Sequence, residues 1–222
     1  MIECIMPFKV IQCGDDSIGC ASYLINHSDN WYLIDTSLPS RGRELIRRIE
    51  RHTQNLQCIL FTHEHIDHAG AARALQERFN CPVFAHRVAR ETLAQGDDTY
   101  IGGWLFGEVF RPPQEIKTFQ EGTLHLPGGL SLKTIHTPGH SPGSTVYIYE
   151  EEGALFSGDL LFCGGWVGRW DLPGGDLRLL CSSLKSLIEE DFRSLYPGHG
   201  SWCSGEGKYH LMGALGYLKG IC

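Results

Sequence analysis

The 222-residue sequence predicts an α+β fold in which sheets pack together and helices cover them on the outside. Three observations carry this. The first half alternates β-prone apolar runs with segments of helical period. The middle, from Leu124 to Phe162, is dominated by strand and turn signals. The chain then returns to helical spacing. Length and a hydrophobic content of 42% suit one globular domain, 1–222, with a full core. No internal repeat and no Pro/Gly/Ser-rich linker divides it.

WYLIDTS (31–37) is apolar, β-prone and closed by turn formers, so it reads as a strand. Ser40 is placed to cap a helix through about His52, with Leu45, Ile46 and Ile49 on one face. CILFT (58–62) is a buried strand that runs into a histidine cluster. Ala71 to Phe79 is helical, with Leu75 and Phe79 inward. VFAH (83–86) follows Pro82 as a strand, and 87–95 is helical. Residues 96–114 mix Gly, Pro and aromatics without a period and read as a long loop. Between Leu124 and Phe162, apolar runs separated by glycine turns predict hairpins. Leu177, Leu180, Leu184 and Leu187 recur at helical spacing behind Asp176, a helix cap. SLYPGHG (194–200) is a short strand ending in a turn, and Lys208 to Gly220 forms a last helix.

A net charge of −7 gives no support to nucleic acid as a partner. The N-terminus lacks the basic head and long apolar middle of a signal peptide, and no apolar run approaches the roughly 18 residues of a membrane span. The nine cysteines, at 4, 13, 20, 58, 81, 163, 181, 203 and 222, are odd in number and form no C-x-x-C pair. They predict free thiols, mostly small buried apolar residues, and a cytoplasmic location. Nothing in the sequence speaks to oligomeric state.

The stretch FTHEHIDHAG (61–70) carries three histidines, a glutamate and an aspartate within six positions. An H-E-x-x-H helix motif is excluded, because the fifth position is Asp67. In extended backbone, residues i and i+2 project to one side, so His63 and His65 can hold one ion together. Asp67 and His68 come after a turn and can face a second. Imidazole with carboxylate suits zinc, iron or manganese. Six residues cannot complete two coordination shells. TPGHSPGS (137–144), LFSGDLLF (155–162) and YPGHG (196–200) each present one polar residue, His140, Asp159 and His199, on a tight turn at a strand end.

In that order, His63, His65, Asp67, His68, His140, Asp159 and His199 resemble the signature of the metallo-β-lactamase superfamily: H-x-H-x-D-H, then a distant His, an Asp and a final His. The resemblance runs from about Asp35 to His199. It implies an αββα sandwich, two mixed sheets covered by helices on both outer faces, with metals in a cleft at one edge. It also implies that His63, His65 and His140 hold a first metal, that Asp67, His68 and His199 hold a second, and that Asp159 bridges them. Two zinc ions per chain are expected, with iron or manganese as alternatives. Metal-activated water would attack a carbonyl carbon, with Asp67 as the catalytic carboxylate that orients the water and moves a proton to the leaving group. Glu64, between two ligands, should point away as a solvated or supporting carboxylate.

Departures from individual branches narrow the expectation. Classical metallo-β-lactamases have Cys where this chain has Asp159, which disfavours antibiotic hydrolysis. Flavodiiron reductases usually have Glu at the position of His65, and family nucleases carry additional domains. GDLLFCGGWVGRWDLPGGD (158–176) is similar to the segment after the bridging Asp in glyoxalase II-like thioesterases, in particular the compact bacterial and archaeal branch. Only 23 residues follow His199, too few for a glutathione-binding helical domain, so a different or smaller thioester or acyl ester is expected. Arg169 either meets an anionic substrate or pairs with a carboxylate to hold the metal loop. Trp166 and Trp170 are expected to pack. Tyr100, Trp104, Phe106 and Phe110 either wall the acyl site or fold onto their own loop. Three rivals stand. Gly168-Arg169-Trp170-Asp171 also resembles persulfide dioxygenases, with one iron on His63 or His65, His140 and Asp159. A lactonase would share all seven ligands. A non-catalytic metal-binding scaffold is the third.

Overall fold

A computed structural model describes residues 8–15, 17 and 19–222; Cys4 and half of the N-terminal stretch weighed as a signal peptide lie outside the described residues. Six strands, β1 (Lys9–Gln12), β2 (Tyr23–His27), β3 (Asn30–Ile34), β4 (Cys58–Leu60), β5 (Val83–His86) and β6 (Ile116–Phe119), form the first sheet in chain order. β1 to β3 are antiparallel and β3 to β6 parallel. Five strands, β7 (Gly122–His125), β8 (Ser131–His136), β9 (Thr145–Tyr149), β10 (Ala154–Gly158) and β11 (Ser194–Pro197), form the second. It is antiparallel except for the parallel β10–β11 edge.

The period-two alternation of the strands sorts side chains into three apolar layers. Tyr32, Ile34, Leu60 and Phe84 point between the sheets, where they meet Leu132, Tyr147, Tyr149 and Phe156. Their neighbours Leu33, Ile59 and Val83 point outward onto the helices Gly42–Glu50, Ala72–Phe79 and Arg87–Gln95, through Leu45, Ile49, Leu75, Phe79, Ala89 and Leu93. On the far side Val146, Ile148, Leu155 and Leu195 meet Leu180, Leu184, Leu211 and Ala214 of helices Leu177–Ser186 and Gly207–Tyr217. The result is the αββα sandwich of two mixed sheets. Tyrosines in the inter-sheet layer keep a partner for each hydroxyl: Tyr23 donates to the Pro197 carbonyl and Tyr32 to that of Pro127, both at 2.8 Å, and Tyr147 donates to that of Phe61.

Several expectations need correction. Ser40 does not cap a helix. It lies in a 3₁₀ turn, Pro39–Arg41, and its amide and hydroxyl both donate to Glu108. The 96–114 segment is not all loop, because Asp98–Ile101 and Gly103–Phe106 are single helical turns ended by left-handed Gly102 and Gly107. Four cysteines are not free: Cys163 pairs with Cys203 and Cys181 with Cys222, while Cys13, Cys20, Cys58 and Cys81 are buried thiols. The cysteine argument for a cytoplasmic location loses that much of its support. Among the described residues no helix is long and apolar enough to cross a membrane.

Candidate metal centre

All seven sequence-predicted residues meet at one end of the sandwich. His63 and His65 follow the end of β4, and a single helical turn, Ile66–Ala69, carries Asp67 and His68. The turns after β8, β10 and β11 deliver His140, Asp159 and His199. Thr62 fixes the mouth of this arrangement between the sheets: its amide donates to Asp35 Oδ1 at 2.8 Å, and its carbonyl accepts from the Thr145 amide at 2.8 Å.

Two sets of donor atoms converge. His65 Nδ1 lies 3.1 Å from His63 Nε2 and 2.9 Å from His140 Nε2. His199 Nε2 lies 3.3 Å from Asp67 Oδ2 and 3.4 Å from both His68 Nε2 and Asp159 Oδ2. Asp159 stands between the sets, with Oδ2 3.5 Å from His140 Nε2 and Oδ1 3.3 Å from His68 Nε2. The outer ring nitrogens assign the tautomers. His140 Nδ1 donates to the Arg169 carbonyl at 2.7 Å and His68 Nδ1 to Asp35 Oδ2 at 2.8 Å. His63 Nδ1 faces Thr62 Oγ1 at 3.0 Å, a hydroxyl whose own proton goes to Asp35 Oδ2. The Nε2 of His63 and of His140 is therefore left with its lone pair aimed inward. Burial pulls His68 down, but Cys20, Asp159, Asp35 and Asp67 outweigh it and raise its pKa well above the ordinary value, so in the metal-free protein its Nε2 keeps a proton that an ion must displace. The lone pairs of His63 and His140 converge within 3.1 Å of His65 Nδ1, which carries at most one proton to share between them, whereas an ion among the three would satisfy all of them, and Asp159 Oδ1 is buried without a hydrogen bond among the described residues. The residues present fit divalent metal ions on both grounds, and the all-N/O donor set suits zinc, iron or manganese.

The electrostatics separate the two sets. In the metal-free protein, burial drives His63 well below its ordinary pKa and His65 down to about 3, helped by the neighbouring imidazoles. These rings are neutral and ready to ligate. Burial also pulls on His199, but Asp159 and hydrogen bonds to Asp159 and Asp67 outweigh it and lift this ring to about 11. Burial would raise Asp159; the charges of His68, His199 and His140 hold it well below the usual carboxylate range.

Three supports lie outside the seven. Asp35, at φ 60° beyond the end of β3, accepts from Thr62 and from His68 and sets the His68 ring. Only its position, a carboxylate ending an apolar strand, could have marked it in the sequence. Glu64 does point away from the ligands, as expected, but it is fully buried rather than solvated. Its carboxylate accepts from Ser141 Oγ and from the Gly143 amide, both at 3.0 Å, and so ties the His63 segment to the His140 turn. Gly168 packs where no side chain fits, since a Cβ there would stand 2.0 Å from the Asp159 carbonyl and 3.0 Å from His140 Nδ1.

Arg169 is half-exposed at the cleft and forms a bidentate pair with Asp171, at 2.8 and 2.7 Å. Of the two expected roles, the carboxylate pair is the one present. The cleft, about 350 Å³, is walled on its apolar side by Ile101, Leu105, Phe106, Phe162 and Leu172. The 96–114 segment thus contributes a wall through Ile101, Leu105 and Phe106. Phe110 instead packs on the helix-side core, and Trp104 is not part of the lining. Trp170 packs, as expected. Trp166 does not bury its ring, which is 64% exposed and meets Tyr217 edge-on.

Comparison with known proteins agrees with this geometry. The profile of the Metallo-beta-lactamase superfamily matches residues 16–199. The hydroxyacylglutathione hydrolase GloC of Haemophilus influenzae is 35% identical over 165 residues, 72% of this chain and 76% of that protein. The crystal structure of BLEG-1 B3 metallo-beta-lactamase superposes with a TM-score of 0.75 at 33% identity, covering 89% of this chain and 94% of that one. TTHA1623 in a di-iron-bound form gives 0.71 at 31% identity, covering 88% and 94%.

Proposed function

The chain belongs to the metallo-beta-lactamase superfamily, and from that premise we propose that this metallo-hydrolase, read as one domain over 1–222, cleaves an acyl thioester or related ester through a dinuclear centre. The observation that carries the reading is the pairing of seven convergent donors with an apolar wall beside them. His63, His65 and His140 would hold one ion, Asp67, His68 and His199 the other, and Asp159 both. When bound, the ions supply Lewis acidity to water and to the substrate carbonyl.

The protein's own groups do the rest. The cleft admits an acyl group against Leu105, Phe106 and Leu172 and excludes water there. Asp67 is ionised, since the charge of His68 and the hydrogen bond from His199 outweigh burial and lower its pKa. Its carboxylate can accept a proton from attacking water and hand it on. Asp67 is the only such group in the lining besides the bridging Asp159, and this favours a leaving group that needs little acid. A thiolate, with a thiol pKa of about 8.5, meets that requirement better than an alkoxide or an amide nitrogen. Similarity to GloC supports the thioester class. Similarity to BLEG-1 favours β-lactam opening as a second reading, despite Asp159.

Arg169 in the cleft lining is paired with Asp171, so a strongly anionic carrier would have to compete with that carboxylate for it. The test is metal content of protein purified without added metal, followed by turnover of thioesters, esters, lactones and β-lactams. Two ions per chain with thioester hydrolysis is expected. One iron with oxygen uptake on glutathione persulfide would overturn the proposal, as would β-lactam or lactone opening without thioester turnover.

A further inference from the structure

Behind the metal centre, Cys163, Cys203 and His210 bring two sulfurs and a ring nitrogen within 4.8 Å of one another. We propose that they form a separate binding site for a thiophilic divalent ion of the zinc class. The ion occupies it when the Cys163–Cys203 disulfide is reduced and is excluded when the disulfide is closed.

The site joins three elements. Cys163 lies four residues beyond Asp159. Cys203 lies four beyond His199 and is bridged to β11 through Leu195 by two backbone hydrogen bonds, at 3.0 and 2.8 Å. His210 belongs to the helix Gly207–Tyr217 and is 8% exposed. Its Nδ1 accepts from the Gly164 amide at 3.1 Å, which selects the tautomer with the lone pair on Nδ1, next to Cys163 in the chain. Nε2 is buried without a hydrogen-bond partner among the described residues.

Two thiolates and one imidazole are three of the four ligands of a tetrahedral zinc-type site, with water left to supply the fourth. The Cα atoms of the two cysteines are 6.3 Å apart. That separation suits a disulfide and equally suits two sulfurs about 3.7 Å apart on an ion with Zn–S of about 2.3 Å. Side-chain rotation alone converts one arrangement into the other. A dithiol reductant supplies the two electrons: its own disulfide forms, the Cys163–Cys203 bond breaks, and its two protons pass to the cysteine sulfurs. Binding the ion then releases those protons to solvent, and the ion replaces the Gly164 N–H at Nδ1. The second disulfide, Cys181–Cys222, has no such partner, for among the described residues no imidazole or carboxylate completes a metal-binding set around it. Whether disulfide or ion is present, this position staples together the segments that carry Asp159 and His199.

The main centre offers no sulfur among its seven donors, so a thiolate-to-cobalt charge-transfer band in the near ultraviolet distinguishes the two sites. The experiment adds Co²⁺ to full-length, as-isolated protein before and after treatment with a phosphine reductant, with free thiols counted in parallel. The band should be absent before reduction and saturate at one ion per chain after it. It should vanish in Cys163→Ser/Cys203→Ser, persist in Cys181→Ser/Cys222→Ser, and require at least about tenfold more Co²⁺ in His210→Gln. No band in reduced protein whose thiol count has risen would overturn the proposal. So would a band that survives Cys163→Ser/Cys203→Ser, or a Cys163–Cys203 bond that resists reduction in the folded protein.

Discussion

Replacing Asp35 with asparagine removes one proton acceptor and leaves shape and backbone in place. Asp35 sits at φ 60°, a left-handed conformation that Asn tolerates about as well as Asp, so the substitution adds no backbone strain. The amide has one acceptor oxygen where the carboxylate has two. If that oxygen keeps the Thr62 amide at 2.8 Å, the NH₂ group faces His68 Nδ1, which now donates at 2.8 Å. Two donors cannot share that contact. His68 must then give up the bond or move its proton to Nε2, the atom that faces Asp159 and His199, where it can no longer ligate. A hydrogen bond to a charged group contributes about 1.5–3 kcal/mol. Loss of such a support for a ligating imidazole lowers metal affinity about 10–100-fold, equivalent to about 1.4–2.7 kcal/mol. The assay is zinc titration against a competing chelator, with circular dichroism to confirm the fold. One ion should weaken by that factor, and the ion on His63, His65 and His140 by less, because Asp35 reaches His63 only through the Thr62 hydroxyl. Affinities within twofold of wild type at both positions would refute the assigned role of Asp35.

Glu64→Ala leaves the Gly143 amide without its buried acceptor, at about 1–3 kcal/mol, while the Ser141 hydroxyl can turn to Ser144 Oγ at 2.9 Å; denaturant unfolding should show the loss, and Glu64→Gln a smaller one. Gly168→Ala drives a Cβ against the Asp159 carbonyl, so metal content measured by elemental analysis should fall while unfolding stays cooperative. Leu105→Ala and Phe106→Ala, at half-exposed positions on the cleft wall, should each lower kcat/KM for an apolar acyl thioester by about 1 kcal/mol, roughly fivefold, whereas Trp104→Ala should leave it unchanged. His199, with its pKa raised to about 11, is protonated at neutral pH in the metal-free protein, and the proton competes with metal. Calorimetry in buffers of different ionisation enthalpy should therefore show at least one proton released as the Asp67, His68 and His199 set is filled, and apparent affinity rising with pH. The same shift means that the His199 ion pairs stabilise the metal-free fold fully below pH 6.5 and cease to do so as pH rises through about 11.

What could be read from the chain alone follows how local each signal is. His63, His65, Asp67 and His68 lie within six residues, and His140, Asp159 and His199 each stand as the polar residue in a glycine turn closing an apolar strand, so chain position and turn chemistry make them candidates. The sandwich with outer helices was legible from the order of elements, and its αββα form through the family resemblance; β3, β4 and β9 are apolar on both faces, so the sequence does not say which side chain enters which layer. Asp35 was not legible, because its partners lie 27 and 33 residues away and nothing local distinguishes it from a turn former. The cysteine pairs span 40 and 41 residues, and an odd count hid them. The helical turns at 98–101 and 103–106 are four residues each, too short for a 3.6-residue period to emerge.

Glu64 shows the deeper limit. Its place between two ligands marks it as a solvated or a supporting carboxylate, and does not say what it would support. Yet its work is done 77 and 79 residues away, on Ser141 and Gly143, where it positions the turn that carries His140. A ligand must carry a donor atom, and that requirement is visible in its residue type. A positioning residue need only reach the right backbone amide, and the fold alone decides which amide that is.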